Sequence, residues 1–225
     1  MIVVTGASRG LGRAICDRLL AQGRNVTGIA RNVESLPFPA IACDVSSYSE
    51  LKAVAATLRH GREAVTGLVN AAGIASMNLA VTTPPATVRR IVDVNLIGTI
   101  QACQVFSPLM MRGKAGSIVN FSTIAVAIGL KGESVYAASK AGVEGFSRAF
   151  GREVSDFNIR VNCIAPGPIA TDLLKGITGA QIDAIIEHQI IRRQYTPEAV
   201  CDLVDFLLED RSSSISGQVL HVGGV

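Results

Sequence analysis

Thr5-Gly6-Ala7-Ser8-Arg9-Gly10-Leu11-Gly12 follows the apolar run Ile2-Val3-Val4 and leads into an Ala-, Leu- and Ile-rich stretch that reaches Leu20. A β-branched run, clustered glycines and then helical apolar spacing predict strand, tight turn and helix. Glycines in such a turn let backbone N–H groups approach a diphosphate, and the helix N-terminus adds partial positive charge. The chain is therefore expected to begin with a dinucleotide site, with no arm or leader ahead of it. The spacing is Gly-x-x-x-Gly-x-Gly, not the commoner Gly-x-Gly-x-x-Gly. A plain strand-to-helix turn has the same look, but the place of this one at the head of an α/β pattern favours the nucleotide reading.

Outward from this turn, 225 residues suffice for one well-buried core and are few for two, so a single domain over 1–225 is expected. Trp is absent and aromatics are 4%, while 48% of residues are hydrophobic. That predicts an Ala/Val/Ile/Leu core, as in a parallel sheet buried on both faces. A net charge of +3 without a Lys/Arg block gives no reason to expect nucleic acid. Arg89-Arg90 and Arg192-Arg193 read as solvated helix faces. Cys16, Cys43, Cys103, Cys163 and Cys201 are odd in number, lack C-x-x-C spacing and sit in apolar runs. They read as reduced buried thiols of a cytoplasmic protein, not as a disulfide framework or a metal site. His60, His188 and His221 are isolated and add no metal site. The longest uncharged stretch, 115–130, carries Gly, Ser, Asn and Thr and is short for a membrane span, so no membrane partner is expected.

Strand and helix signals alternate along the chain. Strands are predicted at 2–5, 25–30, 40–43, 67–70, 117–122, 160–164 and 218–222. Helices are predicted at 10–22, 47–59, 87–111, 134–156, 179–190 and 197–209. The pattern predicts an α/β, doubly wound Rossmann-like fold: a seven-stranded parallel sheet with helices on both faces. Residues 31–39, with Pro37 and Pro39, are too few for a full crossover helix and predict a turn. Residues 166–195 follow a strand end and carry two amphipathic pieces. Segments outside the carboxyl ends of parallel strands build the ligand crevice, so this one is a candidate substrate lid, with an ordinary surface excursion as the competing reading.

An NAD site places an acid at the end of the second strand, on the ribose 2′-OH. Here that place reads Gly28-Ile29-Ala30-Arg31-Asn32. Arg31 stands where the acid would be, and Arg9 lies inside the glycine turn. Two guanidiniums can pair a 2′-phosphate, so NADP(H) is the expected cofactor, although either arginine alone could be a solvated loop residue. The cofactor set begins with Gly6, Ser8, Arg9, Gly10, Leu11, Gly12, Arg31 and Asn32. Asp44 and Val45 are candidates for the adenine edge, Asp44 being otherwise a cap for the following helix.

Tyr136 and Lys140 are spaced i, i+4 on a predicted helix and share one face. Around them stand Asn70-Ala71-Ala72-Gly73 after the fourth strand, Asn95 in a helix, Ser122 and Thr123 at a strand end, and Pro166-Gly167-Pro168-Ile169-Ala170-Thr171 after the sixth strand. Together with Tyr136-Ala-Ala-Ser-Lys140-Ala-Gly and Val161-Asn162-Cys163-Ile164-Ala165-Pro166-Gly167, these elements resemble the short-chain dehydrogenase/reductase family, from Ile2 to Gly224. Within it the chain is most similar to ketoreductases of the 3-oxoacyl-(acyl-carrier-protein) reductase kind.

The resemblance implies that Tyr136 exchanges a proton with a carbonyl oxygen, that Lys140 lowers the phenol pKa from about 10 and holds the nicotinamide ribose, and that Asn95 holds a relay water. It adds Asn70, Ala71, Gly73, Tyr136, Lys140, Pro166, Gly167, Ile169 and Thr171 to the cofactor set. Two departures stand out. Asn70-Ala71-Ala72-Gly73 replaces the family's Asn-Asn-Ala-Gly, a minor loss of one side-chain bond. The family's carbonyl-polarising serine, thirteen residues before the tyrosine, is Thr123 here, with Ser122 adjacent. Adjacent strand residues face opposite sides, so only one of the two can point at substrate; Thr123 is the expected one, and Ser122 the alternative if the strand end is irregular.

The implied activity is NADPH-dependent reduction of a ketone, a 3-oxoacyl thioester by likeness, with acyl carrier protein as a possible partner. Arg112 and Lys114 are candidates for docking it, although Phe157 stands where related reductases often carry a second arginine. Oxidation of a secondary alcohol on a small or pathway-specific substrate is the alternative; a nucleotide-binding scaffold without turnover is a further one. The resemblance also implies a homodimer or homotetramer formed through the helices at 87–111 and 134–156 and the last strand.

Overall fold

The computed structural model describes residues 1–61, 64–171 and 178–225. Its centre is β1 (Ile2–Thr5), every residue of which is buried. Ile2 and Val4 face one apolar core while Val3 faces the other. The same alternation separates Leu68 from Val69 on β4 (Gly67–Asn70) and Ile118 from Val119 on β5 (Gly116–Phe121). A continuous apolar run thus feeds two cores, as a strand covered on both faces requires.

The remaining strands are β2 (Val26–Ala30), β3 (Ala40–Ala42), β6 (Ile159–Pro166) and β7 (Val219–Val222). All neighbours run parallel in the order β3-β2-β1-β4-β5-β6-β7. One face carries α1 (Gly10–Ala21) and α8 (Pro197–Leu208), packed over Ile15, Leu19, Val204 and Leu207. The other carries α2 (Tyr48–His60), α4 (Gly98–Met111) and α6 (Ser134–Glu153), packed over Leu51, Phe106, Met110 and Phe150. The fold is the expected seven-stranded Rossmann-like sheet.

Several departures from the expected elements have physical reasons. Residues 31–39 hold only turns and bends, as predicted. Phe38 takes the place of a crossover helix there: it packs on Gly28, where a Cβ would come within 2.9 Å of its ring. The carboxyl end of β2 is thereby left open to solvent. The single helix expected at 87–111 is α3 (Pro85–Val92), a π-helical turn over Asp93–Ile97, and α4. This 27-residue rod is long and apolar enough by composition to cross a membrane, but it packs as a core helix, with 56% of its most apolar window buried. A short α5 (Ala125–Ile128), ended by Gly129 at φ +74°, was not legible because Ala-Val-Ala-Ile carries no polar face. In the candidate lid, α7 (Gly179–Glu187) starts with a Thr178–Gln181 capping box, and a bridge between Ile169 and Tyr195 ties the segment's two ends. Residues 172–177 of that lid lie outside the described residues.

Candidate active site

The strand order reverses between β1 and β4, and a cleft of about 440 Å³ opens there at the carboxyl ends of the strands. Its floor is the glycine turn. Gly6 has φ +70°, and a Cβ on it would fall 2.8 Å from the Ala72 backbone. Gly10, at φ +58°, has open space before it, the nearest atom to an added Cβ being that of Thr171 at 3.9 Å. α1 begins at Gly10 with no side-chain cap and no acid in its first turn. Its first N–H groups therefore have no side-chain acceptor, which is the arrangement a diphosphate fits.

Of the expected cofactor residues, Gly6, Ser8, Arg9, Gly10, Leu11, Arg31, Asp44, Val45, Ala71, Gly73, Pro166, Gly167, Ile169 and Thr171 line this cleft. Gly12, Asn32 and Asn70 do not. Gly12 backs the turn, since a Cβ there would lie 2.3 Å from the Gly6 carbonyl oxygen. Asn32 is exposed beyond the end of β2. Asn70 turns inward, donating from Nδ2 to Asn120 Oδ1 at 2.8 Å and leaving its own Oδ1 without a partner among the described residues.

At the β2 end, Arg9 and Arg31 are exposed, and neither guanidinium has a hydrogen-bond or ion-pair partner among the described residues. Asp44 does not cap α2; Ser47 does, accepting from Glu50 N. Asp44 Oδ1 instead accepts from Ser46 N at 2.9 Å and Ser46 Oγ at 2.6 Å, and its Oδ2 meets Arg90 at 3.5 Å. Burial pushes the Asp44 pKa up, but the Ser46 bonds and the Arg90 and Arg31 charges outweigh it and leave the carboxyl below its ordinary value. Arg90 thus lines the cleft wall while staying solvent-exposed on its helix, as expected of that face. Its side chain reaches across from α3, a long-range pairing that the local pattern Arg89-Arg90 could not reveal.

At the other end, α6 carries Tyr136 and Lys140 into the cleft, 8% and 4% exposed. Lys140 Nζ donates to the Phe121 carbonyl at the end of β5 at 2.9 Å and stands 6.0 Å from the centre of the Tyr136 ring. Burial lowers the Lys140 pKa from 10.5 to about 8. Burial pushes the Tyr136 phenol up, and the Glu133 charge adds to this; a hydrogen bond with Thr123 pulls the other way but does not cancel it. The expected lowering by Lys140 is not seen, because desolvation of the buried phenol dominates.

Thr123 and Ser122 separate clearly. The Ser122 hydroxyl donates to Glu144 Oε1 on α6 at 2.6 Å. Thr123 Oγ1 accepts from Ala125 N at 3.2 Å and lines the cleft near enough to the Tyr136 phenol to act on its pKa. Asn95 is fully buried and does not line the cleft. From the π-helical turn it donates to the Ile74 carbonyl at 2.9 Å and to Ser139 Oγ at 3.1 Å, and it accepts from Ile74 N at 2.9 Å. These side-chain bonds pin the chain beside Gly73 to α6, a positioning role compatible with the expected relay-water role. A Cβ on Gly73 would crowd Asn95 Oδ1 at 3.4 Å and Lys140 Nζ at 3.6 Å. Glu133, one turn before Tyr136, also lines the cleft. Its i, i+3 spacing from the phenol was a signal that sequence reasoning passed over.

Arg112 and Lys114 precede β5 at its amino end, while the cleft lies at the carboxyl ends of the strands. Six residues of strand, roughly 20 Å, separate the two, so within one chain these cations do not border the mouth.

Comparison with known proteins agrees with this geometry. A family model described as enoyl-(acyl carrier protein) reductase matches residues 6–224. Carbonyl reductase family member 4 of Xenopus laevis is 36% identical over 229 residues, covering 98% of this chain and 95% of the relative. The 3-oxoacyl-(acyl-carrier-protein) reductase FabG of Staphylococcus epidermidis is 32% identical over 238 residues, covering 99% and 96%. The solved structure of Thermoplasma acidophilum aldohexose dehydrogenase superposes with a TM-score of 0.90 at 31% identity, covering 99% of this chain and 92% of that one. The glycine turn at the strand reversal, the Tyr136–Lys140 face of α6 and the match over nearly the whole length lead to one conclusion: the chain belongs to the short-chain dehydrogenase/reductase family, nicotinamide-dependent oxidoreductases of carbonyl and alcohol groups.

Proposed function

We propose that this protein reduces a ketone to a secondary alcohol with NADPH, and that its substrate is a 3-oxoacyl thioester or a close analogue. The observation that carries the reading is the pairing of half-buried Thr123 and buried Tyr136 and Lys140 at one end of the cleft with Arg9 and Arg31 at the other, two exposed guanidiniums without a hydrogen-bond or ion-pair partner among the described residues. No carboxylate ends β2 to take a ribose 2′-OH, and two free cations suit a 2′-phosphate. The kinship with carbonyl reductases and with 3-oxoacyl-(acyl-carrier-protein) reductases supports a carbonyl substrate.

Bound reduced nicotinamide supplies the hydride. The chain's residues manage the proton and the developing charge. Burial keeps the Tyr136 phenol protonated well above neutral pH, which suits a group that must give a proton to the carbonyl oxygen. Thr123 donates a hydrogen bond to the same oxygen as negative charge grows there. Lys140, held by the Phe121 carbonyl, has further N–H donors for ribose hydroxyls. Asn95 positions the wall beside Gly73. Assembly as a homodimer or homotetramer through α4, α6 and the half-exposed edge strand β7 belongs to the same proposal, with light scattering as its measure.

Oxidation of an alcohol is the second reading, favoured by the likeness to an aldohexose dehydrogenase. A nucleotide-binding scaffold without turnover is disfavoured by the intact Thr123–Tyr136 contact. Absorbance loss at the reduced-nicotinamide band separates these readings. Acetoacetyl-CoA and ethyl acetoacetate should consume NADPH at least about tenfold faster than NADH. NADP⁺ reduction with secondary alcohols alone would reverse the direction, and cofactor binding with no turnover on any ketone or alcohol would leave only the scaffold.

A further inference from the structure

Glu133 occupies the N-cap position of α6, yet its side chain caps nothing. The residue is half-buried in the wall of a cleft that Leu130, Ile124, Pro168 and Ile185 also line, and its carboxyl has no hydrogen-bond or ion-pair partner among the described residues. The nearest cation in sequence, Lys131, is exposed and makes no ion pair with it. An acid held among apolar walls without a counter-ion costs stability unless it serves a ligand.

Its place in the cleft follows from helix geometry. Glu133, Tyr136 and Lys140 are three and four residues apart and share one face of α6. Lys140 stands at the glycine-turn end, 3.6 Å from where a Gly73 Cβ would be. Tyr136 is next, and Glu133 lies about 4.5 Å further along the axis, beyond the phenol. A ketone whose oxygen meets Tyr136 and whose carbon faces the cofactor must extend its substituents to that far side. The negative charge reaches the reacting centre, since it already acts on the phenol.

We propose that Glu133 is a specificity-determining residue that filters ketones by charge: it admits those whose group next to the carbonyl is neutral or donates a hydrogen bond, and turns away those carrying a carboxylate there. The filter deepens the ketone-reduction reading and rests on it. A 3-oxo ester or thioester passes; the corresponding free 3-oxo acid brings a like charge to an unscreened carboxylate.

Ethyl acetoacetate and acetoacetate test this, because they differ in charge at the relevant place. The wild-type protein should favour the ester over the acid by about thirtyfold or more in kcat/KM. Glu133→Gln, which sacrifices no side-chain bond, should raise the acetoacetate-to-ester ratio of kcat/KM about tenfold, whatever common shift the lost charge brings to both ketones through Tyr136. Binding of both ketones by ligand-observed NMR, which needs no turnover, should show the same gain for acetoacetate alone. An unchanged ester-to-acid ratio in both proteins overturns the filter. So does an equal change for both ketones with a moved pH profile, because Glu133 would then act only through Tyr136. If neither ketone is reduced but NMR shows acetoacetate gaining affinity in Glu133→Gln, the filter stands and the ketone-reduction reading fails.

Discussion

At the β2 end of the cleft, Arg9 and Arg31 stand in solvent with nothing to bind, while at the α6 end Lys140 and Tyr136 are almost wholly buried. The first pair offers its guanidiniums to a ligand arriving from solvent. The second pair is shaped by desolvation, which lowers the amine to about 8 and raises the phenol. Exposed cations can select a ligand by charge, but salt screens them. Buried groups cannot recruit from a distance, but their proton affinities are set by the desolvated site where bonds change. One cleft thus separates recognition from chemistry, and substitutions at its two ends should fail in different ways.

The largest effect is expected at the buried end. Tyr136→Phe removes the proton donor and keeps the ring, so kcat should fall about 10³-fold while NADPH affinity and Tm stay near wild type. Stopped-flow reduction and cofactor titration on one preparation check this, and retained turnover would remove Tyr136 from the chemistry. Next comes Thr123→Val, nearly isosteric but without the hydroxyl, with an expected kcat loss of about 10²-fold. Thr123→Ser should restore most of that loss. Ser122→Ala sharpens the contrast: its hydroxyl serves Glu144, so it should cost stability and leave kcat within a few-fold of wild type.

These two positions show what was legible in the sequence and what was not. The glycine turn, the positions of the seven strands and the Tyr136–Lys140 face were readable because each rests on local periodicity or on backbone freedom at Gly6 and Gly10. The choice between Ser122 and Thr123 needed Glu144, twenty-two residues on from Ser122, to show which hydroxyl was already engaged. Asn95 was identified from the sequence, but its bonds to the Ile74 backbone from the π-helical turn were not legible, because they join residues twenty-one apart. Arg90 and Glu133 escaped because one reaches across from α3 and the other looks like an ordinary loop acid before a helix. Tertiary pairing and desolvation, which no window of residues contains, account for these misses.

At the solvent end, Arg31→Ala removes one charge-assisted partner of a 2′-phosphate. Its effect should be about ten- to thirtyfold on KM for NADPH, with KM for NADH and kcat nearly unchanged. Raising salt from 50 to 500 mM should shrink the wild-type preference for NADPH, because both arginines are exposed. If Arg31→Ala lowers kcat for both cofactors alike, the division between the two ends breaks down.

The smallest effect, and the one that distinguishes buried from exposed charge most directly, is in pH. Lys140 has a folded pKa of about 8 against 10.5 for a free amine. If the charged amine is needed, turnover should fall about fivefold between pH 8 and 9 as its proton is lost. Stability should move differently. A lysine whose pKa is depressed in the folded state costs stability at low pH, and the cost is relieved as pH rises from about 8 towards 10.5. The buried thiols have the opposite sign. Burial raises Cys16, Cys103 and Cys201 to about 12 and Cys43 and Cys163 to about 11, from 9.0. Above about pH 9 the unfolded thiols ionise while the folded ones stay protonated, so stability is lost there. Tm should therefore hold steady between pH 8 and 9 while turnover drops, and decline only above pH 9. A Tm that falls in step with turnover from pH 8 would show that the lost activity is unfolding and that the Lys140 amine does not set it.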